Sequence, residues 1–397
     1  MPFWEGFQSK EDSLGKVPEK RRQMSPIAGL EVALHSFGLA LLQHESAQAV
    51  KQNVFISPLS VFLALAMTEN GAAGETKAAM RKVLALPADA SAESVNLSAA
   101  AVMRSLLSHG EAELTIANAL WADFTSTISP DFVAVCQNSF DADVQTIDLS
   151  HPSSADTINT WVSQKTAGKI PAIVTPGALA GLPAILANAL YFKGKFSIPF
   201  PKEATQPMPF HLADGREKVV PMMRISGLHG SYRQGTTFEA AVLQYRKSPI
   251  ALYMLLPAKG APPEQILTER SLRELQVMDE SVSLDLSMPR FNIDFTRSLK
   301  ASLTRQGMGI AFQFHGADFS ALGSPLFFLG DLVHNTRLEV DEEGTVAAAS
   351  TSIALAQTAL IAPPIKKRTL VFDRPFAVLL QHRMTEAIVF VGVVYQP

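Results

Sequence analysis

A single cysteine, Cys136, among 397 residues rules out an intramolecular disulfide, so the fold must stand on packing alone. Cys136 itself reads as a core or half-buried thiol. The first 24 residues lack the apolar run of a secretory signal and carry Glu5, Lys10, Glu11, Asp12, Lys16, Glu19, Lys20, Arg21 and Arg22 instead. Residues 1–24 therefore read as a polar extension, in which Lys20, Arg21 and Arg22 serve solvation rather than targeting or nucleic-acid binding. On this reading the protein is cytoplasmic, or extracellular by a route this chain does not encode. A net charge of −3 supplies no field of one sign, so neither nucleic acid nor an anionic membrane is an expected partner. Catalytic signatures are missing as well: the chain has no GxSxG, HExxH, CxxC or Walker pattern, and its nine histidines are scattered without ligand spacing. Phe192-Lys193-Gly194-Lys195-Phe196 has a Gly-Lys pair but not the glycine loop that cradles a phosphate. No enzymatic activity, metal or cofactor is expected.

Apolar material is plentiful, with hydrophobic residues at 47% and charged residues at 18%, enough for a large core. Ser25-Pro26 resembles a helix cap with proline at the first helical position, and Ile27, Leu30, Leu34, Phe37 and Leu41 follow at helical spacing. Val61 to Met67 and Ala99 to Leu107 read as helical. Leu252 to Leu256, before Pro257, reads as a buried strand. Val282, Leu284, Leu286 and Met288 alternate with Ser281, Ser283, Asp285 and Ser287, as a strand with one buried face should. There is no βαβ rhythm, no repeat and no Pro/Gly-rich linker. The expected architecture is a single α+β unit over residues 25–397, with helices outside large, mainly antiparallel sheets.

The most informative stretch lies near the end. Gly344 to Ala362 runs without charge or proline between Asp341-Glu342-Glu343 and Pro363-Pro364, followed by Lys366-Lys367-Arg368. Its hydroxyl and amide side chains are too polar for a membrane span, and its small and β-branched residues suit an extended strand. That strand would be much longer than usual. Such a segment suits exposure in one state and pairing in another.

Residues in order along most of the chain resemble the serpin family. Asn53-Val54-Phe55-Ile56-Ser57-Pro58-Leu59-Ser60, then Gly71-Ala72 and Gly74-Glu75-Thr76, are similar to its first signature. Ala117 to Trp121, Ile158-Asn159 with Trp161-Val162, Asn188 to Gly194, Gly307-Met308 and Ala317 to Ser320 continue the series. His334, Glu342 to Thr345, Arg374-Pro375-Phe376 and Gly392 close it. The resemblance implies a metastable serpin fold of three β-sheets and about nine helices. An exposed reactive-centre loop, about 342–364, would be able to enter the largest sheet.

The same resemblance implies a function. A target serine protease would cleave the loop, be caught as an acyl-enzyme, and be distorted as the loop inserts; the inhibitor is used once. The hinge would be Glu342, Gly344, Thr345, Val346, Ala347, Ala348, Ala349 and Ser350, small residues with no charge to desolvate beyond Glu342. With Thr345 facing the core, Ala347, Ala349, Thr351, Ile353 and Leu355 would also turn inward. Ser57, Ser60, Asn188 and His334 would form a hydrogen-bonded cluster where the sheet opens, and Arg290 would pair with Glu342 beside the hinge. Counting seventeen residues from Glu342 puts the scissile bond at Thr358-Ala359, with the neighbouring bonds Ala359-Leu360 and Leu360-Ile361 as the alternatives. Small, uncharged Thr358 fits elastase-like or subtilisin-like pockets and not a trypsin-like one. Leu97 to Gly110 carries only Arg104 as a cation, so no heparin-type site is expected there, and the protein is expected to be a monomer. Two departures from the family stand out: Phe196 where tryptophan is usual, and Val346 where glutamate is common. The competing function is a non-inhibitory serpin acting as chaperone or carrier.

Overall fold

A computed structural model describes residues 30–107, 111–324, 327–345 and 366–397. The expected extension 1–24 and the Ser25-Pro26 cap lie outside the described residues. So do Val346, Ala347, Ala348, Ala349, Ser350 and the candidate cleavage positions Thr358, Ala359, Leu360 and Ile361.

Eight α-helices occur among the described residues: α1 Leu30–Gln48, α2 Pro58–Glu69, α3 Gly74–Val83, α4 Ala92–Leu107, α5 Pro130–Phe140, α6 Ser154–Lys165, α7 Glu269–Glu274 and α8 Lys300–Leu303. Three large sheets accompany them, with a two-stranded ribbon. The main sheet has the strand order Phe291–Ser298, Asp331–Asp341, Gly344–Thr345, Ala184–Lys195, Glu113–Asp123, Asp143–Ile147. A second six-stranded sheet is built on Phe376–His382, Ile388–Val394 and Ile250–Pro257, the last being the buried strand read from Leu252 to Leu256. A four-stranded sheet runs Lys366–Val371, Val282–Pro289, Glu217–His229, Gln206–His211. No helix among the described residues is long and apolar enough to cross a membrane.

The pattern of α2 explains its place. Its residues Val61 to Met67 are apolar all round, and a helix without a polar face has to be buried on every side. All of its residues are buried, between the strand Ile388–Val394 and the strands Glu113–Asp123 and Ala184–Lys195 of the main sheet. Pro58 occupies the first turn, and the Ser57 hydroxyl caps it by accepting from the Ser60 amide.

The main sheet is covered on both faces. Along Ala184–Lys195, Leu186, Leu190 and Phe192 face the larger core, whereas Ile185, Ala187 and Ala189 face α6. Small alanines on that face let α6 lie close, with Ile158, Trp161 and Val162 packed down on the sheet. Trp161 meets Trp121 edge to face, centroids 6.0 Å apart, and its indole N–H donates to Asp143 Oδ2 at 2.6 Å. Cys136 is buried in α5, where burial pushes its thiol up to about 12 and leaves it unreactive.

Candidate functional site

The two central strands of the main sheet set the site. Asp331–Asp341 and Ala184–Lys195 run parallel and pair directly from Asp331↔Ile185 to Arg337↔Tyr191. Beyond that point they part, and Gly344–Thr345 stands between them. Gly344 pairs with Asp341 on one side and Lys195 on the other, and Thr345 with Val340 and Gly194. The sheet is therefore zipped at one end and holds a two-residue antiparallel wedge at the other.

A tight turn delivers the wedge. The Asp341 carboxylate accepts from the backbone N–H of Glu343 at 2.9 Å and of Gly344 at 3.2 Å, an Asx turn. Gly344 has φ 141°, and a Cβ there would lie 2.2 Å from the Gly194 carbonyl oxygen, so only glycine fits. The Phe196 and Phe200 amides donate to the carbonyls of Glu343 and Glu342 at 2.7 and 2.8 Å, tying the turn to the neighbouring segment.

The Glu342 side chain is almost fully buried. Arg290 grips it through Nε, 2.8 Å from both carboxylate oxygens, and through Nη2 at 2.5 Å, while the Thr205 hydroxyl donates at 2.5 Å. Burial pushes this carboxyl upward, but the hydrogen bonds from Arg290 and Thr205 outweigh it and leave it below the usual glutamate range. Arg290 and Glu342 are thus brought together. Thr205 is not legible as a site residue in the sequence, because a lone threonine after Ala204 carries no local signal.

Thr345 points into the core. Its hydroxyl lies 2.7 Å from the phenol oxygen of Tyr245, which is wholly buried, and burial holds that phenol well above its usual range. Phe196 stacks on the Tyr245 ring at 5.2 Å and Phe192 meets it edge-on at 4.8 Å. Phe196 is 3% exposed, so the smaller ring at this position is packed rather than loose.

Lower in the sheet, His334 and Asn188 face each other in register across the two central strands. The Ser57 amide donates to His334 Nε2 at 3.0 Å, so that nitrogen carries no proton, and Nδ1–H donates to Asn188 Oδ1 at 2.6 Å. Ser60 Oγ donates to the same Asn188 oxygen at 2.9 Å, and the Ser57 hydroxyl to the Val389 carbonyl at 2.6 Å. Burial pulls His334 down to about 3, consistent with the neutral tautomer these bonds require. The structure brings Ser57, Ser60, Asn188 and His334 into one buried network. It adds Asn118, whose Oδ1 accepts from Asn188 Nδ2 at 2.6 Å and extends the network to a third strand. Asn118 lies in the motif Ala117 to Trp121, within which nothing local marks it out.

Comparison with known proteins finds the same architecture elsewhere. The sequence model of one family, Serpin (serine protease inhibitor), matches residues 32–397. Leukocyte elastase inhibitor from Bos taurus is 33% identical over 379 residues, covering 90% of this chain and 96% of that protein. Serpin B6 from Pongo abelii is 32% identical over 369 residues, covering 90% and 96%. Among solved structures, tengpin, a thermophilic serpin in its native state, superposes with a TM-score of 0.82 at 26% identity over 98% of each chain.

Proposed function

The chain belongs to the serpin family, and from that premise we propose that it is a suicide-substrate inhibitor of serine proteases with elastase-like or subtilisin-like pockets. The observation that carries this reading is the Gly344–Thr345 wedge, a strand already begun between two parallel strands that close directly beneath it.

In the proposed mechanism the protease serine attacks the Thr358 carbonyl. The Thr358–Ala359 bond breaks, the amine of Ala359 leaves with a proton, and Thr358 stays esterified to the enzyme. Release of the far end frees the segment after Thr345 to continue the wedge. The pairing from Asp331↔Ile185 to Arg337↔Tyr191 is then replaced by two ladders, one on each side of the new strand. A strand of roughly a dozen residues gains about as many backbone hydrogen bonds, each worth about 0.5–1.5 kcal/mol net. Such a gain is comparable to a domain's whole stability of about 5–15 kcal/mol, so the intact form is held kinetically. The His334–Asn188 network and the Arg290–Glu342 pair are the proposed locks, since opening the sheet pulls on both. Relatives named as elastase inhibitors support the target class, as does the small, uncharged Thr358.

Incubation with a panel of serine proteases, resolved on denaturing gels, tests the proposal. A detergent-stable complex with elastase-like or subtilisin-like enzymes, and none with trypsin, is expected. Quantitative cleavage without any such complex would leave the protein a substrate and sink the reading.

A further inference from the structure

The charges flanking the loop are not balanced alike. On the hinge side Glu342 is held by Arg290, Glu343 is bridged to Lys202 at 2.6 Å, and Asp341 caps its own turn. On the far side Lys366, Lys367 and Arg368 begin the strand Lys366–Val371, and all three are exposed. No ion pair among the described residues involves any of them. Asp279, which feels Lys366 and Arg233, accepts instead from the Ser281 amide and hydroxyl at 3.0 and 2.6 Å. Residues 344–365 carry no charge. Two of the three carboxylates bordering the loop on one side are therefore ion-paired, whereas among the described residues none of the three cations on the other side is, in a chain whose net charge is −3.

We propose that Lys366, Lys367 and Arg368 form a steering surface for the target protease, which would present an acidic rim beside the subsites that take the residues after the cut. The proposal rests on the inhibitor reading above. Thr358 and Lys366 are eight residues apart in the sequence, at most roughly 26–29 Å of extended chain. A protease domain of about 230 residues has a radius of gyration near 17 Å, hence a diameter of roughly 45 Å. An enzyme seated on the bond after Thr358 accordingly has its surface within reach of the strip.

Lysines on an exposed edge strand also discourage edge-to-edge pairing, and among the described residues this strand has a neighbour on one side only. That role asks only for charge somewhere along the edge. Here the three cations are confined to the end joined to the loop, and Thr369, Leu370 and Val371 carry none. Their placement tracks the loop rather than the edge.

The readout is the second-order rate constant for attack on the loop, which exists whether the protease is then trapped or simply cuts. Trapping is read separately on gels, so failure of the inhibitor reading and failure of this inference are distinguishable. Wild type, Lys367→Gln/Arg368→Gln and Lys367→Glu/Arg368→Glu are compared against two small-residue-specific proteases, one of acidic and one of basic surface. With the acidic enzyme, charge reversal should slow attack about tenfold or more at low salt and neutralisation less, the differences fading as salt screens them. With the basic enzyme, reversal should speed attack. Equal rates for all variants at low salt would overturn the proposal. If the reversed variant then aggregates, the charges protect the edge only; if it instead loses retention on immobilised heparin, they serve a polyanion.

Discussion

The phenol of Tyr245 and the hydroxyl of Thr345, one hundred residues apart in sequence, share a hydrogen bond of 2.7 Å inside the core. It fixes the Gly344–Thr345 wedge at its second residue, with the rings of Phe192 and Phe196 closing around the phenol. Tyr245→Phe keeps the packing and leaves the Thr345 hydroxyl buried without this partner, a loss of about 1–3 kcal/mol. The intact variant should melt a few degrees lower than wild type. An unchanged melting temperature would mean that the bond does not hold the wedge.

Thr345→Arg should convert the protein from inhibitor to substrate, because the wedge would have to bury an unpaired cation where Thr345 is now fully enclosed. Cleavage at the loop should persist while the detergent-stable complex disappears. Retention of the wild-type stoichiometry of trapping would show that the inward face of the inserting strand has been assigned to the wrong residues.

Removing the cation at the turn tests one of the two proposed locks. Arg290→Gln leaves Glu342 buried with Thr205 as its remaining side-chain donor, and stripping one partner from such a pair costs about 2–5 kcal/mol. Because the Glu342 carboxyl is depressed in the fold, its contribution is present above the ordinary glutamate range and fades as pH falls through the depressed value. In wild type this part of the stability should therefore weaken in acid, and in Arg290→Gln that acid-dependent portion should shrink. Parallel acid unfolding curves for the two proteins would contradict the pairing.

His334 makes a demand on pH of the same sign but in a separable, higher window. Burial holds it neutral down to about 3, whereas in the unfolded chain it takes up a proton near 6.5. The unfolded state binds the extra proton between these values, so stability falls as pH drops from about 6.5 toward 3, by up to about 1.4 kcal/mol per pH unit. His334→Gln removes that proton from the balance. Its melting temperature should depend less on pH between about 6.5 and 5 than that of wild type, on a lower baseline because the Ser57 and Asn188 bonds are disturbed. Identical slopes would mean that His334 is not the titrating group.

Local pattern reveals the elements that are either apolar all round or strictly alternating. The run Val61 to Met67 reads as helical and Val282 to Met288 as a strand with one buried face, and a helix and a strand are found there. The short α7 and α8, of six and four residues, complete too few turns for a period to be read. At the site, Ser57, Ser60, Asn188, His334, Arg290 and Glu342 are legible only through the family resemblance, since apart from Ser57 and Ser60, which share one segment, they come from separate stretches of the chain. Tyr245 escapes sequence reading altogether. It follows the strand end Leu243-Gln244 as one more aromatic residue in an isolated bridge to Phe196, and what distinguishes it is the Thr345 hydroxyl that another part of the chain brings to it. Thr205 and Asn118 escape it for the same reason: their partners are tertiary.

The central claim is that Gly344–Thr345 is the start of a strand waiting to be completed, and thermal melting of intact and loop-cleaved protein tests it most directly. A nick near residue 358 in a chain without disulfides relaxes the closure of the unfolded state and should lower stability unless new contacts form. If the loop inserts, the cleaved form gains a full central strand in the main sheet and should melt far above the intact form. A cleaved form melting at or below the intact one would contradict insertion and leave the wedge without a function in trapping.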